Sequence, residues 1–456
     1  MIKFLAGIFF LLCSCTVSAQ TYNNEWVDFN QVYYKFKVGS NGLYRINQPA
    51  LAAIGLATVP AEQFQVWHNG TELAIYTSVS TGILGVSDFI EFYGTINDGK
   101  ADKSLYKYDS LQMWDKVSLY TDTAAYFLTV RNGSNKRYIS TPNIVAGNVL
   151  PADNYFMRTI VKPFRDRYNR GAALPVGEYV YSSAYDQGEE WTSLDIETGY
   201  PQTKLFNGLN VYTAGPANSV SVGVAAFGNS YNFLRNLRVE MGNTIVIDSS
   251  MDRFKTIKTQ VNNLPLSLFP NTDNIIFSVY GTNPSQFDRI VVASISLTYP
   301  SRFNFNNEKS FQFTLGASGS GNFIVIDNFN YGTATPVLYS LNDGKRYAGD
   351  IAVAGKVRFA LPASTDPARK FILVNEEISN ITAISNFTTR NFINYALTAN
   401  QGDYLIISNP GIYNDGNGVN YVDLYRQYRS SFAGGSFNTK VISIDELTDQ
   451  FAFGIN

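Results

Sequence analysis

The chain has 456 residues, a formal net charge of -2 and a composition that is 45% hydrophobic and 14% aromatic but only 16% charged, against a usual charged share of about 25%. That length suits about three domains. The near-neutral balance excludes the basic field that draws in nucleic acid or an anionic membrane, and the abundant Asn, Ser, Thr and Tyr in place of charge suit an extracellular β-rich protein.

Residues 1–20 carry Lys3, an apolar run over 4–13, and Val17, Ser18 and Ala19 before Gln20. A short basic start, an apolar core too short for a bilayer and a small-x-small site read as a secretory signal peptide, 1–19, cleaved after Ala19. A lipoprotein signal with Cys15 lipidated is the competing reading. No later run reaches the roughly 18 apolar residues of a membrane-spanning helix. Both cysteines, Cys13 and Cys15, fall inside the leader. The mature chain is therefore expected to hold no disulfide, zinc-thiolate site or cysteine nucleophile.

Residues 20–150 read as an N-terminal β-rich domain. A strand over 32–38 leads through Asn41-Gly42 into 43–46, a hairpin signal. A short helix is predicted over 48–54, then a second hairpin around Asn69-Gly70, and strands over 89–94, 117–120 and 126–130. Residues 151–300 alternate as short strands at 178–181, 192–196, 220–224, 237–240, 275–279 and 290–299, the pattern of an antiparallel β-sandwich. Residues 301–400 repeat that style at 311–315, 323–326, 336–339, 357–361 and 370–374, as a second small sandwich or an extension of the first. No fixed-period repeat is present, which excludes a solenoid or propeller.

Residues 401–456 change character. An apolar run over 402–408 predicts a buried strand. Tyr421, Leu424, Tyr425, Tyr428 and Phe432 recur at helical spacing, Gly434-Gly435 stops the helix, and a second apolar run follows over 439–444. That is the spacing of a right-handed strand-helix-strand crossover. A parallel pair with one helix cannot cover both faces of its sheet, so the expectation is an incomplete start of an α/β domain. The fold class is thus mainly β, with one or two sandwiches ahead of an α/β start.

Four places invite chemistry. His68, the single histidine, lies beside Trp67 in a tight hairpin with no partners at local spacing, which favours a structural role over a base or metal ligand. Lys162, Arg165, Arg167 and Arg170, interleaved with Phe164 and Tyr168, could grip a polyanion such as a lipopolysaccharide phosphate; a solvated loop or interdomain salt-bridge patch is the plainer account. Glu189 and Glu190 beside Trp191 superficially suit a glycosidase, yet neighbours on a strand point to opposite faces. Asn414-Asp415-Gly416-Asn417-Gly418 has the composition of a calcium loop without its ligand spacing, and a plain turn explains it better. No catalytic, cofactor-binding or metal-binding residue is assigned, and calcium is the one ion considered.

The stretch from Gly402 through Ser408, Asn409 and Pro410, the helix holding Tyr428-Arg429, then 441–444, Phe451 and Gly454, resembles the opening of the catalytic domain of the gingipain family of caspase-like cysteine peptidases. Upstream, Tyr33-Tyr34-Lys35, Gly42 through Ile46 and Val66 through Gly70 resemble the N-terminal region of the sortase-like branch of that family in type IX secretion. The resemblance implies a cell-surface, outer-membrane peptidase that cleaves C-terminal sorting domains from secreted cargo. It also implies outer-membrane components of that system as partners, and lipopolysaccharide as an acceptor. The family's chemistry needs a cysteine thiolate beside a histidine, both on later strands of the caspase-like domain. With no mature cysteine and His68 in a different region, this chain is expected to be inert alone. A secreted multi-sandwich adhesin or glycan-binding protein, and an inactive paralogue, are the alternatives.

Overall fold

Alternating apolar residues in the first segment face inward from two layers. In the computed structural model, which describes residues 22–455 except Asn232, one layer is a five-stranded sheet in the order Thr388–Arg390, Tyr33–Val38, Ala124–Val130, Phe64–His68, Thr71–Leu73. The other runs Ile381–Ala383, Gly42–Asn47, Phe89–Gly94, Tyr76–Thr77. Phe36, Val38, Tyr44, Ile46, Phe64 and Phe92 meet between them. The leader, its Ala19 site and the Cys15 alternative lie outside the described residues.

Two expectations fail here for physical reasons. Asn41-Gly42 does not close a hairpin, because the strands on either side of it belong to different sheets. Both strands bury side chains in one core, so the chain crosses between layers, and the Tyr44 hydroxyl holds that corner by donating to the Ser40 carbonyl at 2.8 Å. Residues 117–120 are not a strand; the Leu119 amide donates instead to the buried Asp102 carboxylate at 2.8 Å. The Asn69-Gly70 hairpin forms as predicted, pairing His68 with Thr71, and both turn residues have positive φ, 47° and 68°, as a two-residue hairpin loop requires. The short helix α1, Gln48–Ala53, buries Leu51.

The second unit is a sandwich of two antiparallel four-stranded sheets. One orders Thr256–Leu264, Val220–Gly228, Ile290–Ser301 and Phe156–Pro163; the other Gln202–Phe206, Ile275–Gly281, Leu234–Met241 and Thr244–Asp252. Its core includes Phe206, Val222, Leu237, Phe277, Val292 and Tyr299. In the 189–196 region the strand is Glu189–Thr192 rather than 192–196.

The third unit is also a sandwich, with a phenylalanine-rich core that includes Phe303, Phe305, Phe313, Phe359 and Phe371. Its sheets are Ser310–Leu315, Arg369–Val374, Val337–Ser340, Lys345–Ala348 and Ile139–Thr141 on one side, and Asn304–Glu308, Asn322–Phe329 and Lys356–Leu361 on the other. Chain order and spatial order part company at its ends. Residues 139–141 leave the first segment to join this sheet, and 381–390 return to complete both sheets of the first sandwich. Divisions at 150 and 400 therefore do not follow the strand pairing.

The last segment is a parallel strand pair, Tyr404–Ser408 with Thr439–Ser443, joined through helix α2, Tyr421–Ser430, and followed by helix α3, Ile444–Phe451. No described helix is long and apolar enough to cross a membrane.

Candidate functional site

The predicted strand-helix-strand is present, in register from Tyr404 opposite Thr439 to Ser408 opposite Ser443. Asn420 caps α2 by accepting from the Asp423 amide at 2.9 Å. Helix α2 packs on one sheet face, where the Tyr404 ring meets Phe437 with centroids 5.3 Å apart and the Arg429 guanidinium lies 4.4 Å above Tyr404. On the opposite face Ile442 is buried, but the first strand's side chains are largely uncovered. Leu405 and Ile407 are 54% and 57% exposed, so the first strand is not the buried strand its sequence suggests; one helix shields one face only. Helix α2 also leaves Leu424, Tyr425 and Tyr428 about half-exposed.

Helix α3 anchors this unit to the first sandwich. Asp449 is fully buried and takes ion pairs from Lys35, on one of that sandwich's strands, and from Arg390 at 2.5 Å. The Trp26 indole donates to the Gln450 carbonyl at 3.2 Å, and Trp26 packs with Tyr33, Phe127 and Phe392. Three charges drawn from positions 35, 390 and 449 leave no local pattern, so sequence reasoning misses them. The strand's sequence does not single Lys35 out, since the exposed Lys37 stands two residues on.

The first and third sandwiches meet over a second buried network. Glu91 has no exposed surface; Arg45 pairs with it at 2.6 Å and the Tyr339 hydroxyl donates to it at 2.5 Å. Arg346 donates to Tyr339 at 3.2 Å and pairs with Glu376. Burial, with Glu376 adding to it, pushes the Glu91 carboxyl well above its usual range.

The four sequence candidates are not brought together. His68 stacks flat on Tyr126, centroids 4.2 Å apart and planes 5° apart, and burial lowers it to about 4, so the ring is neutral near pH 7. The basic cluster disperses into local contacts. Arg165 holds Asp122 of the first segment at 2.9 and 3.1 Å, Arg167 holds Asp195 at 2.5 Å, and Lys162 donates to the Leu205 carbonyl at 2.7 Å. This is the interdomain salt-bridge reading rather than an open phosphate grip. Glu189 and Glu190 alternate in burial as strand neighbours do. Glu190 accepts from the Met113 and Trp114 amides at 3.1 and 3.2 Å, and burial raises it to about 8. Glu189 instead accepts from the Tyr168 hydroxyl at 3.2 Å. In the 414–418 loop, Asp415 accepts from the Asn417 and Val419 amides at 2.8 and 3.2 Å, the contacts of a plain turn. Among the described residues no group of three or more His, Cys, Asp or Glu side chains is placed to hold a metal ion.

No family model and no curated protein matches the sequence. Among solved structures, one that shares this fold stands out by its TM-score. It is dimeric latent PorU from Porphyromonas gingivalis, with a TM-score of 0.58 and 12% identity over 93% of this chain and 38% of that one. At that identity the likeness is one of fold, and this chain spans well under half of the PorU chain. A carbohydrate-binding domain of a multidomain xylanase from the hindgut metagenome of Trinervitermes trinervoides aligns with 31% of this chain and 96% of its own at 5% identity, but its TM-score of 0.20 does not amount to a common fold.

Proposed function

We propose that this chain is the N-terminal, non-catalytic portion of a cell-surface cysteine peptidase of type IX secretion, which cleaves C-terminal sorting domains from secreted cargo. The observation that carries the reading is the likeness in fold to latent PorU along 93% of the chain. The exposure of Leu405 and Ile407 supports it, because parallel sheets are packed on both sides. In this reading the sandwiches position cargo or dock to outer-membrane components of the system, with lipopolysaccharide as acceptor. The thiolate and histidine belong to strands of the α/β domain other than the two present here. The residues of this chain hold that domain in place, chiefly through Asp449, Lys35 and Arg390. Disruption of the gene in its native host, followed by mass spectrometry of surface proteins, tests the reading. Cargo is expected to keep its C-terminal sorting domain in the mutant and to lose it on complementation; normal trimming in the mutant overturns it.

A further inference from the structure

We propose that Glu91, Tyr339, Glu376, Arg45 and Arg346 form a proton-dependent latch, a device independent of any peptidase activity. It closes the first sandwich onto the third when the cluster holds one proton beyond its two arginine–glutamate pairs, and loosens when that proton leaves.

The latch sits where the two sandwiches meet. In the strand Phe89–Gly94, Ile90 and Phe92 point into the core of the first sandwich, so Glu91 and Tyr93 point outward. In the strand Val337–Ser340, Leu338 points into the third core, while Val337 and Tyr339 point outward. The two outward faces join through the buried Leu43, Val337, Tyr339, Ile372 and Val374. Glu91 therefore has no exposed surface because the third sandwich covers it, and a first sandwich standing apart would return the carboxyl to water.

The hydrogen bonds of the cluster call for the extra proton. Tyr339 Oη lies 2.5 Å from a Glu91 oxygen and 3.4 Å from a Glu376 oxygen, and it accepts from Arg346 Nε at 3.2 Å. A phenol has one proton to donate. With both carboxyls ionised, Tyr339 serves Glu91 and turns a lone pair toward Glu376. With Glu91 protonated, Glu91 donates to Tyr339 and Tyr339 donates to Glu376, while the second Glu91 oxygen still accepts from Arg45 at 2.6 Å. Every contact is then a hydrogen bond. Arg45, left without a charged partner, is a member that reaches water: its side chain is 20% exposed, and its guanidinium lies 3.8 Å over the Phe89 ring. Arg346 stays paired with Glu376. Tyr76, 4.2 Å beneath the Arg346 guanidinium, and Tyr138, edge-on to Tyr339 at 4.7 Å, wall the cluster with aromatic rings.

Burial, with Glu376 beside it, raises Glu91 to about 7 from an ordinary 4.5. Between these values docked sandwiches keep a proton that separated ones release. The stabilisation of docking is complete below pH 4.5 and is lost as the pH rises through 7.

Hydrogen exchange read by mass spectrometry on the whole chain, from about pH 5.5 to about pH 8 with intrinsic exchange rates divided out, tests the latch. Protection of Phe89–Gly94 and Val337–Ser340, relative to Val220–Gly228 of the second sandwich, is expected to fall about tenfold or more toward the higher pH. Glu91→Gln, neutral throughout, is expected to abolish that fall. Glu376→Gln removes a negative charge beside Glu91 at a partly exposed position, and is expected to shift the fall to lower pH. Glu190 titrates in all three chains, so its effect cancels in the comparison. Protection that does not change with pH in the parent chain overturns the proposal. So does a fall that Glu91→Gln leaves in place, or one that Glu376→Gln does not shift.

Discussion

Glu190 shows how one side chain becomes sensitive to pH through its surroundings. Burial, which leaves its Oε1 without a partner, outweighs the two backbone amides that donate to Oε2 and favour the charged form, so the carboxyl holds its proton to about 8, against an ordinary 4.5. Between these values the folded chain keeps a proton that the unfolded chain has released. The stabilisation is therefore complete below pH 4.5 and is lost as the pH rises through 8. Glu190→Gln is expected to flatten that part of the stability profile and to raise stability at pH 8 by roughly a few kcal/mol, since a tenfold difference in proton affinity between folded and unfolded chains is worth about 1.4 kcal/mol; denaturant titrations at about pH 5 and about pH 8 read both effects. Asp449 is the opposite case, a buried charge that is fully partnered. Asp449→Ala leaves Lys35, whose side chain is 9% exposed, without its counter-ion. The expected loss is about 3–5 kcal/mol, with faster hydrogen exchange in α3, and a loss below about 1 kcal/mol would mean that the pair does not hold the helix.

At the scale of elements, the parallel pair illustrates how a strand's environment differs from its composition. Residues 404–408 and 439–443 have the apolar content of strands in the middle of an α/β sheet, yet Leu405 and Ile407 face solvent because α2 lies on the other side. Replacing both by serine is expected to cost this chain about 1 kcal/mol per site, far less than a core truncation, since about half of each side chain is already in solvent. The same change is expected to reduce dye binding to exposed apolar surface, and a large destabilisation would show that the face is already covered. Hairpin signals hold where both strands share a sheet, as at Asn69-Gly70, and mislead where the chain changes layer, as at Asn41-Gly42. At Asn41-Gly42 neither residue takes the positive φ of a hairpin loop and Gly42 already opens the next strand; which sheet each arm joins depends on its partners.

Across the whole molecule, the four units are tied by pairings that no contiguous stretch encodes. Residues 381–390 complete the first sandwich after the third has been built, and 139–141 edge the third before the second begins. The Glu91 network, the Asp122 to Arg165 contact and the Asp449 cluster each join residues from different units. A cleft lined by His68 and Tyr138 exists only because the first and third sandwiches come together. A lone histidine in a hairpin gives no hint of it, because its neighbours in space come from positions near 93, 126, 138 and 312.

The sequence by itself determined the mainly β composition, the strand alternation of the β-rich stretches and the terminal crossover, because these depend on periodicity within a few residues, while it left open whether the sandwiches number one or two. It also showed that adjacent carboxylates on one strand cannot converge and that the 414–418 loop is best satisfied as a turn. Only the tertiary structure decided which sheet each strand enters, which charges are buried, and that Leu405 and Ile407 remain uncovered. Those outcomes rest on contacts between residues hundreds of positions apart, where desolvation and pairing act through space rather than along the chain.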